Sequence, residues 1–318
     1  MVKPIKISKI ILNSVDSTQE YLKKEIQINY LNQNQLKIIV VNAFIQYKGK
    51  GSNNRSWVSL RGGLYLSVNF PLSILSEKIP KKYFNLISVF IGTIVLKSIL
   101  SFSKYLSSIF NFNEILNLQD DLKNYLRVIF PNDIVLVEND NIYKLGGILI
   151  ETFKDNLIIG IGINLLNEIE DYFEQNKNIF DHYPISLKTF ILKKFNDIKY
   201  NEDIKDIIDF FSLKNLEKVI SILGSFIYNF LVFYLINFSE EIIKSLLNDL
   251  VDFDYTPYLK NIKVKYIETQ NNVNKEVEEI FYKIIPDYNF LIFKVIKNDI
   301  NNKKVDVIDF SKIRRIFY

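Results

Sequence analysis

The stretch QYKGKGSNNRSW, residues 46–57, places a basic and polar loop between two apolar runs of sequence. KIIVVNAF (37–44) precedes the loop and LYLSVNF (64–70) follows it. Both runs are rich in β-branched and aromatic residues, a composition that predicts two buried strands. The chain has only ten glycines among 318 residues, and two of them, Gly49 and Gly51, flank a lysine in this loop. So unusual a use of glycine indicates a purpose beyond turn formation.

Exposed backbone and positive charge make this loop a predicted anion site. Glycine permits positive φ and leaves successive N–H groups uncovered, and such groups form anion-binding nests. Lys50 and Arg55 add charge, and arginine can grip a phosphate or carboxylate through two parallel hydrogen bonds. Taken alone, the loop is equally consistent with an ordinary basic hairpin, because a single glycine-rich loop is a weak motif.

Composition narrows the chemistry that the chain can perform. Hydrophobic residues make up 48% and charged residues 24%, the balance of a globular protein with a sizeable core. The net charge of +4 is modest and spread along the chain, so nucleic acid is not a predicted partner. Cysteine is absent, which excludes disulfides and thiolate catalysis, and His182 is the only histidine. We therefore predict no protein-held metal site.

One apolar segment is long enough to imitate a membrane span. VISILGSFIYNFLVFYLINF (219–238) carries no charge over 20 residues, the length that crosses a bilayer. It contains serine, glycine and asparagine, however, and the charged helical sequence SEEIIKSLLNDL (239–250) follows at once. We predict a buried helix and no membrane association. Because no signal peptide is visible, we expect a cytoplasmic protein, with an organelle as the open alternative.

The order of strand-like and helix-like segments predicts an α+β fold. A helical pattern covers 81–100, and we interpret the polar stretch 101–124 as an irregular insertion. Strand patterns then recur, and residues 186–250 are mostly helical. The tail consists of short alternating segments with Asn-rich turns, which predict a small barrel. The predicted domains are 1–257, which is catalytic, and 258–318, which is all-β.

Three further motifs follow the loop along the chain. PND (131–133) fixes a turn that presents an amide and a carboxylate. KLGGILIE (144–151) places a lysine just before two packed glycines, and GIGIN (160–164) has glycines that let a ligand approach a strand. Each motif taken alone can be explained by turn formation or tight packing, without any function. The informative feature is their order.

With DST at 16–18, these motifs resemble the biotin–protein ligase family, also called holocarboxylase synthetase. The family pattern has an early Asp-Ser-Thr, a Gly-Arg-Gly-Arg-x-Gly-Arg-x-Trp loop, a Lys-Trp-Pro-Asn-Asp turn, and Lys-x-x-Gly-Ile-Leu and Gly-x-Gly-Ile-Asn strands. The resemblance covers about residues 16–165. It implies a class II aminoacyl-tRNA-synthetase-like catalytic domain with a central mixed sheet, followed by a small C-terminal SH3-like β-barrel. Some members carry an N-terminal helix-turn-helix, for which the roughly 15 residues before Asp16 leave no room.

The resemblance also implies a reaction in two steps. The biotin carboxylate attacks the α-phosphate of ATP, in the presence of Mg²⁺, to give biotinyl-5′-AMP and pyrophosphate. A lysine amine of a biotin carboxyl carrier domain, part of acetyl-CoA carboxylase or another carboxylase, then displaces AMP and forms an amide. Neither step needs a cysteine or histidine nucleophile. The chain would thus be a carbon–nitrogen ligase, and a homodimer is left open.

Matching the motifs residue by residue implies roles for individual side chains. Lys144 would contact the biotin carboxylate and the α-phosphate, and Arg55 would hold phosphate, so these two are the predicted catalytic residues. Asp133 would orient the incoming amine, and the backbone of residues 50–52 would wrap the carboxylate and phosphate. The other predicted contacts to biotin and nucleotide are Ser17, Thr18, Gln19, Gln46, Gly49, Lys50, Gly51, Ser52, Trp57, Asn132, Gly146, Gly147 and Asn164.

Departures from the family pattern keep two alternatives open. Ser52 stands where the family has arginine, Asn54 where it has the third loop glycine, and Ile129-Phe130 where it has Lys-Trp. One alternative is a lipoate–protein ligase or octanoyltransferase on the same fold, although those families lack this loop and octanoyltransferases use a cysteine. The other is a biotin-binding or carrier-binding protein with impaired catalysis.

Overall fold

The computed structural model describes most of the chain. It covers residues 5–29, 36–52, 55–110, 118–139, 141–180, 182–197 and 208–254, together with the backbone of six strands between residues 262 and 317. The statements below refer to these residues.

A mixed sheet of seven strands forms the centre of the fold. Its strands are β1 (Ile5–Leu12), β2 (Leu36–Ala43), β3 (Leu64–Pro71), β4 (Leu126–Ile129), β5 (Asp133–Glu138), β6 (Asn141–Phe153) and β7 (Asn156–Ile163). Their order in the sheet is β1-β2-β3-β7-β6-β5-β4. β1 and β2 are parallel, and the other neighbours are antiparallel. This confirms the predicted mixed sheet and α+β class.

Helices cover both faces of this sheet. They are α1 (Thr18–Asn29), α2 (Leu72–Lys78), α3 (Ile87–Phe110), α4 (Leu118–Tyr125), α5 (Ile169–Gln175), α6 (Leu187–Asp197), α7 (Leu216–Ile236) and α8 (Glu240–Phe253). The large core lies between the sheet and the layer of α3, α7 and α8. On the other face, α1 packs Leu22 and Ile26 against Ile39, Val41 and Ile158. Strands β2 and β7 contribute alternate side chains to the two cores, as the period of two requires.

Residues 101–110 and 118–124, which belong to the stretch that the sequence indicated to be an irregular insertion, are helical. α3 runs on to Phe110, and α4 begins at Leu118. Serine hydroxyls made the stretch look polar, yet Ser103 Oγ donates to Leu100 O at 2.8 Å and Ser107 Oγ donates to Ser103 O at 3.2 Å. Serine can be buried in a helix when it hydrogen-bonds to the preceding turn in this way. The prediction of irregular structure was therefore wrong for residues 101–110 and 118–124.

Two helices are apolar and long enough to cross a membrane by length and composition alone. They are Ile87–Ile109, whose most apolar window is 78% buried, and Leu216–Ile236, whose window is 39% buried. One or two such helices are weak evidence for a membrane protein, since core helices pass the same test. α7 buries a stripe that includes Val219, Leu223 and Leu231, and a Cβ on its Gly224 would lie 3.3 Å from Leu64 Cδ1 of β3. α7 therefore packs directly on the sheet.

The tail forms short antiparallel strands, as its alternating pattern predicted. They are β8 (Ile262–Gln270), β9 (Val273–Phe281), β10 (Lys283–Asp287), β11 (Ile292–Ile296), β12 (Val305–Asp309) and β13 (Ile313–Phe317). They make two three-stranded sheets with the orders β13-β8-β9 and β10-β11-β12. The SH3-like barrel and the domain boundary at residue 257 stay predictions.

Candidate active site

A cavity of about 590 Å³ opens where α1, the loop of residues 46–57 and the strands β5, β6 and β7 meet. Most residues that the motifs singled out lie on its wall. Those lining it are Ser17, Thr18, Gln19, Gln46, Lys50, Gly51, Ser52, Arg55, Trp57, Asn132, Asp133, Lys144, Gly147 and Asn164. The order of motifs along the chain therefore corresponds to a single site in space.

The glycine loop folds as a small hairpin. Trp57 N–H donates to Gly49 O at 2.8 Å, and Gly51 N–H donates to Arg55 O at 2.7 Å. Among the glycines in the described part of the chain, positive φ occurs at Gly62, at 101°, and not in the loop. The expected nest is therefore wrong in two respects: its glycines are not left-handed, and the Gly51 N–H is already bonded within the hairpin.

Gly49 and Gly146 are not among the residues that line the cavity, and their predicted contacts with ligand stay predictions. Both glycines are required by close packing. A Cβ on Gly49 would lie 2.5 Å from Trp57 O, and one on Gly146 would lie 2.7 Å from Gly162 O. Both distances are shorter than any tolerated contact, and in both cases the nearby atom is a backbone oxygen that cannot swing away.

Trp57, the only tryptophan, lies against the two inner glycines of the sheet. A Cβ on Gly162 would be 2.7 Å from Trp57 Cε2, and a Cβ on Gly147 would be 3.2 Å from Trp57 Cζ3. These glycines make room for the indole on β6 and β7. Trp57 Nε1 is buried and has no hydrogen-bond partner in the part of the chain that is described. An unsatisfied buried donor is costly, so the indole N–H is a candidate contact for a ligand.

Lys144 on β6 forms an ion pair with Asp133 at the start of β5. Lys144 Nζ lies 2.8 Å from Asp133 Oδ1, and the two side chains are only 17% and 13% exposed. The Lys144 backbone is held on its other side, because its N–H donates to Tyr183 O at 2.8 Å and its carbonyl accepts from Ile185 N–H at 3.0 Å. The ammonium is thus fixed in the cavity wall, 6.0 Å from the centre of the Trp57 indole.

Ser52 anchors two polar neighbours. Arg55 Nη2 donates to Ser52 Oγ at 3.0 Å, and Arg55 Nε donates to Ser52 O at 3.2 Å. Asn132 Nδ2 lies 3.5 Å from the same hydroxyl and 3.0 Å from Ile148 O, to which it donates. The residue that departs from the family arginine therefore orients the predicted phosphate-binding guanidinium.

A group of polar side chains closes one end of the cavity. Ser67 Oγ donates to Thr18 Oγ1 at 2.8 Å, and Thr18 Oγ1 donates to Gln46 Oε1 at 3.0 Å. Gln46 Nε2 continues the chain to Ser59 Oγ at 3.1 Å. Thr18 and Ser67 are 4% and 0% exposed. Gln19 lies beside them, with Nε2 donating to Leu149 O at 3.3 Å and Oε1 close to Gly160. This polar end contains two buried side chains, Thr18 and Ser67, although serine and threonine are mostly exposed in folded proteins.

Asn164 has a structural partner on each side. Its Nδ2 donates to Lys144 O at 3.3 Å, and its Oδ1 accepts from Asn167 Nδ2 at 3.2 Å. The side chain is buried and ties the end of β7 to the backbone of Lys144. Asn164 thus supports the lysine as well as lining the cavity.

Sequence reasoning missed a second wall of the cavity. It follows β7 in the chain and consists of Ile169, Tyr172, Asn178, Phe180, His182 and Pro184. No motif marks these residues; the available signal was their position directly after GIGIN and the presence of the only histidine. Phe173 packs beneath this wall, with its ring 5.4 Å from that of Phe180 and 4.7 Å from that of Tyr183.

Comparison with known proteins agrees with this geometry. Residues 11–165 match the Biotin/lipoate A/B protein ligase family. A biotin protein ligase from Leishmania major in complex with biotin is similar over 96% of this chain and 98% of its own, at 16% identity and a TM-score of 0.54. The same enzyme in complex with biotinyl-5-AMP is similar over 95% of this chain and 98% of its own, at 18% identity and a TM-score of 0.49. A biotin protein ligase from Aquifex aeolicus in complex with biotin and ATP is similar over 95% of this chain and 99% of its own, at 21% identity and a TM-score of 0.47. The first of these similarities shows a shared fold.

Proposed function

Because residues 11–165 of this chain match the Biotin/lipoate A/B protein ligase family, we propose that it is an ATP-dependent biotin–protein ligase. It activates biotin as biotinyl-5′-AMP and transfers the biotinyl group to a lysine of a biotin carboxyl carrier domain. The similar enzymes from Leishmania major and Aquifex aeolicus were solved with biotin, and the latter with ATP as well.

The buried polar end of the cavity is the single observation that favours biotin over lipoate. Biotin ends in a cyclic urea, which has a carbonyl acceptor and two N–H donors, whereas lipoate ends in an apolar dithiolane. Thr18, Gln46 and Ser67 offer both donors and acceptors there. A urea can exchange hydrogen bonds with this network, whereas a dithiolane would remove water from it without offering a donor or a strong acceptor in return.

The basic side chains account for the first chemical step. A biotin carboxylate oxygen attacks the α-phosphorus of ATP, and the bond to pyrophosphate breaks, so two anions must be brought together. Lys144 and Arg55 both line the cavity and supply positive charge at its wall. Such fixed charge stabilises a transition state because it needs no reorganisation as the reaction proceeds.

The second step uses the neighbouring carboxylate. The neutral acceptor amine attacks the acyl carbon, the bond from that carbon to the phosphate oxygen breaks to release AMP, and the proton lost by the nitrogen passes to the departing phosphate or to solvent. Asp133 lies on the cavity wall within hydrogen-bond distance of Lys144 Nζ. In this proposal its carboxylate orients the incoming amine, in competition with Lys144.

Mg²⁺ enters this scheme with the nucleotide. No group of three or more histidine, aspartate or glutamate side chains comes together in the described ranges. Asp133 is the one aspartate or glutamate among the described residues that line the cavity. A hard cation held by phosphate oxygens and water needs only one or two protein carboxylates, so these residues fit an ATP-borne Mg²⁺.

Transfer to two carrier domains tests the proposal. The protein would be incubated with ATP, Mg²⁺ and either labelled biotin or labelled lipoate, and with either a biotin carboxyl carrier domain or a lipoyl domain. We expect labelling of the biotin carrier by biotin alone. Lipoate transfer to the lipoyl domain would establish the alternative member of the family, and no transfer in any arm would support a binding protein without catalysis.

A further inference from the structure

Four alternating charges link the glycine loop to the sheet. Lys50 Nζ lies 2.6 Å from Glu20 Oε1, and Lys23 Nζ lies 2.9 Å from the same oxygen. Lys23 Nζ also lies 3.0 Å from Glu151 Oε2, as an ion pair. The chain therefore joins the loop through Lys50, helix α1 through Glu20 and Lys23, and strand β6 through Glu151.

Glu20 is well placed to act as the centre of this chain. It lies in the first turn of α1, where the helix dipole favours a negative charge, and its N–H approaches Ser17 Oγ at 3.5 Å. The Lys50 ammonium, followed by that of Lys23, lowers the pKa of the Glu20 carboxyl. Glu20 does not line the cavity, whereas Lys50 does, so any effect of Glu20 on a ligand passes through its partners.

The start of the loop is held from outside, since Tyr47 N–H donates to Val15 O at 3.0 Å and Lys48 N–H donates to Asp16 O at 2.7 Å, but its tip is held mainly by its own hydrogen bonds. Gly51 N–H to Arg55 O and Trp57 N–H to Gly49 O hold the hairpin together but do not orient it over the cavity. An ion pair to the rigid first turn of α1 supplies orientation. The attachment of α1 to β6 through Lys23 and Glu151 then fixes the loop relative to the strand that bears Lys144.

We propose that Glu20 is a positioning residue that orients the glycine loop through Lys50 and thereby sets the affinity of the cavity for its carboxylate substrate. The second half of this statement rests on the proposed function. Lys50 contributes its backbone and charge to the wall, and Glu20 decides where the loop presents them. The nearby exposed pair Lys48–Asp16, at 2.8 Å, ties the first residues of the loop to the chain just before α1 and is not linked to β6.

The expected effect is modest because the pair is partly exposed. The Lys50 and Glu20 side chains are 47% and 39% exposed. Partly exposed ion pairs are weak, so we expect loss of Glu20 to raise the dissociation constant for biotin about two- to fivefold. The equilibrium constant for opening of the loop, which amide hydrogen exchange reports, should rise by the same factor of about two to five.

A double-mutant cycle with two readouts tests the proposal. The variants are Glu20→Gln, Lys50→Met and the double variant, with Glu20→Asp as the conservative replacement. Asp249→Asn is the matched control, since it removes a partly buried ion pair of the same 2.6 Å length, to Lys97, between α3 and α8. One readout is amide hydrogen exchange of residues 46–57, which needs no ligand. The other is calorimetry with biotin.

We expect faster exchange of the loop and weaker biotin binding in both single variants, no further change in the double variant, and recovery in Glu20→Asp. The control should match the wild type in both readouts, whatever its thermal midpoint. Wild-type exchange in Glu20→Gln, or additive effects in the double variant, would overturn the positioning role. Failure of the wild type to bind biotin would refute the proposed function instead, while the exchange data would still decide the tether.

Discussion

Replacement of Lys144 by methionine removes the cation at the predicted meeting point of two anions while keeping most of the side-chain volume. Lys144 Nζ lies 2.8 Å from Asp133 Oδ1, and both side chains are largely buried. Removing one preorganised charge of this kind costs about 2–4 kcal/mol of transition-state stabilisation. We therefore expect adenylate formation, followed as biotin-dependent pyrophosphate release, to fall about 30- to 1000-fold.

The same substitution also removes the ion pair between Lys144 and Asp133, so its effect on stability can be compared with its effect on catalysis. Charged hydrogen bonds contribute about 1.5–3 kcal/mol, and the remaining exposure of this pair places the loss at the lower end. Lys144→Met should lower the thermal midpoint, and Lys144→Met with Asp133→Asn should recover part of it, because a neutral amide does not require the cation that was removed. The double variant should stay as slow in pyrophosphate release as the single variant.

Two results would refute this reasoning. Pyrophosphate release at the wild-type rate in Lys144→Met would show that the lysine is not catalytic. Recovery of activity together with stability in the double variant would show that the lysine acts only by neutralising Asp133.

Three further predictions concern the cavity wall and the tail. Gly162→Ala should displace Trp57, whose Cε2 would lie 2.7 Å from the new Cβ, shifting the tryptophan emission and weakening ATP binding; Gly51→Ala, with its nearest contact at 3.5 Å, should leave the emission unchanged, and equal spectra for both would contradict the packing described. Thr18→Val leaves Ser67 without its acceptor and should weaken biotin binding by calorimetry at least about tenfold; unchanged affinity would remove the polar end from the binding site. Deleting the chain from Ile262 should slow transfer to the carrier domain more than it weakens biotin binding, and a folded truncated protein that binds no biotin would contradict the domain division.

The strands and the site were predictable because their signals are local. β2, β3 and β7 are short runs of β-branched and aromatic residues, and each motif residue follows or begins such a run. Thr18 and Asn132 could be assigned to one cavity because the motifs that contain them occur in the same order as in the family that the chain resembles. Local pattern and family order together accounted for most of the wall.

Tertiary contacts explain what the sequence did not reveal. The serines of α3 satisfy their hydroxyls on the preceding turn, so a polar stretch became a buried helix. Gly49 is needed for space beside Trp57 O and not for positive φ, a distinction that only the packed structure makes. The Lys50–Glu20 pair joins residues 30 positions apart, and no pattern in the sequence announces it.

Mass spectrometry of the acyl-adenylate tests the central claim most directly. The purified protein would be incubated with ATP, Mg²⁺ and an equimolar mixture of biotin and lipoate, without an acceptor. The adenylates bound to the protein and those in solution would then be identified by their masses. If the protein is a biotin–protein ligase and the polar end of its cavity recognises the cyclic urea, we expect biotinyl-5′-AMP and no lipoyl-AMP. Lipoyl-AMP as the main product, or neither adenylate, would contradict the account.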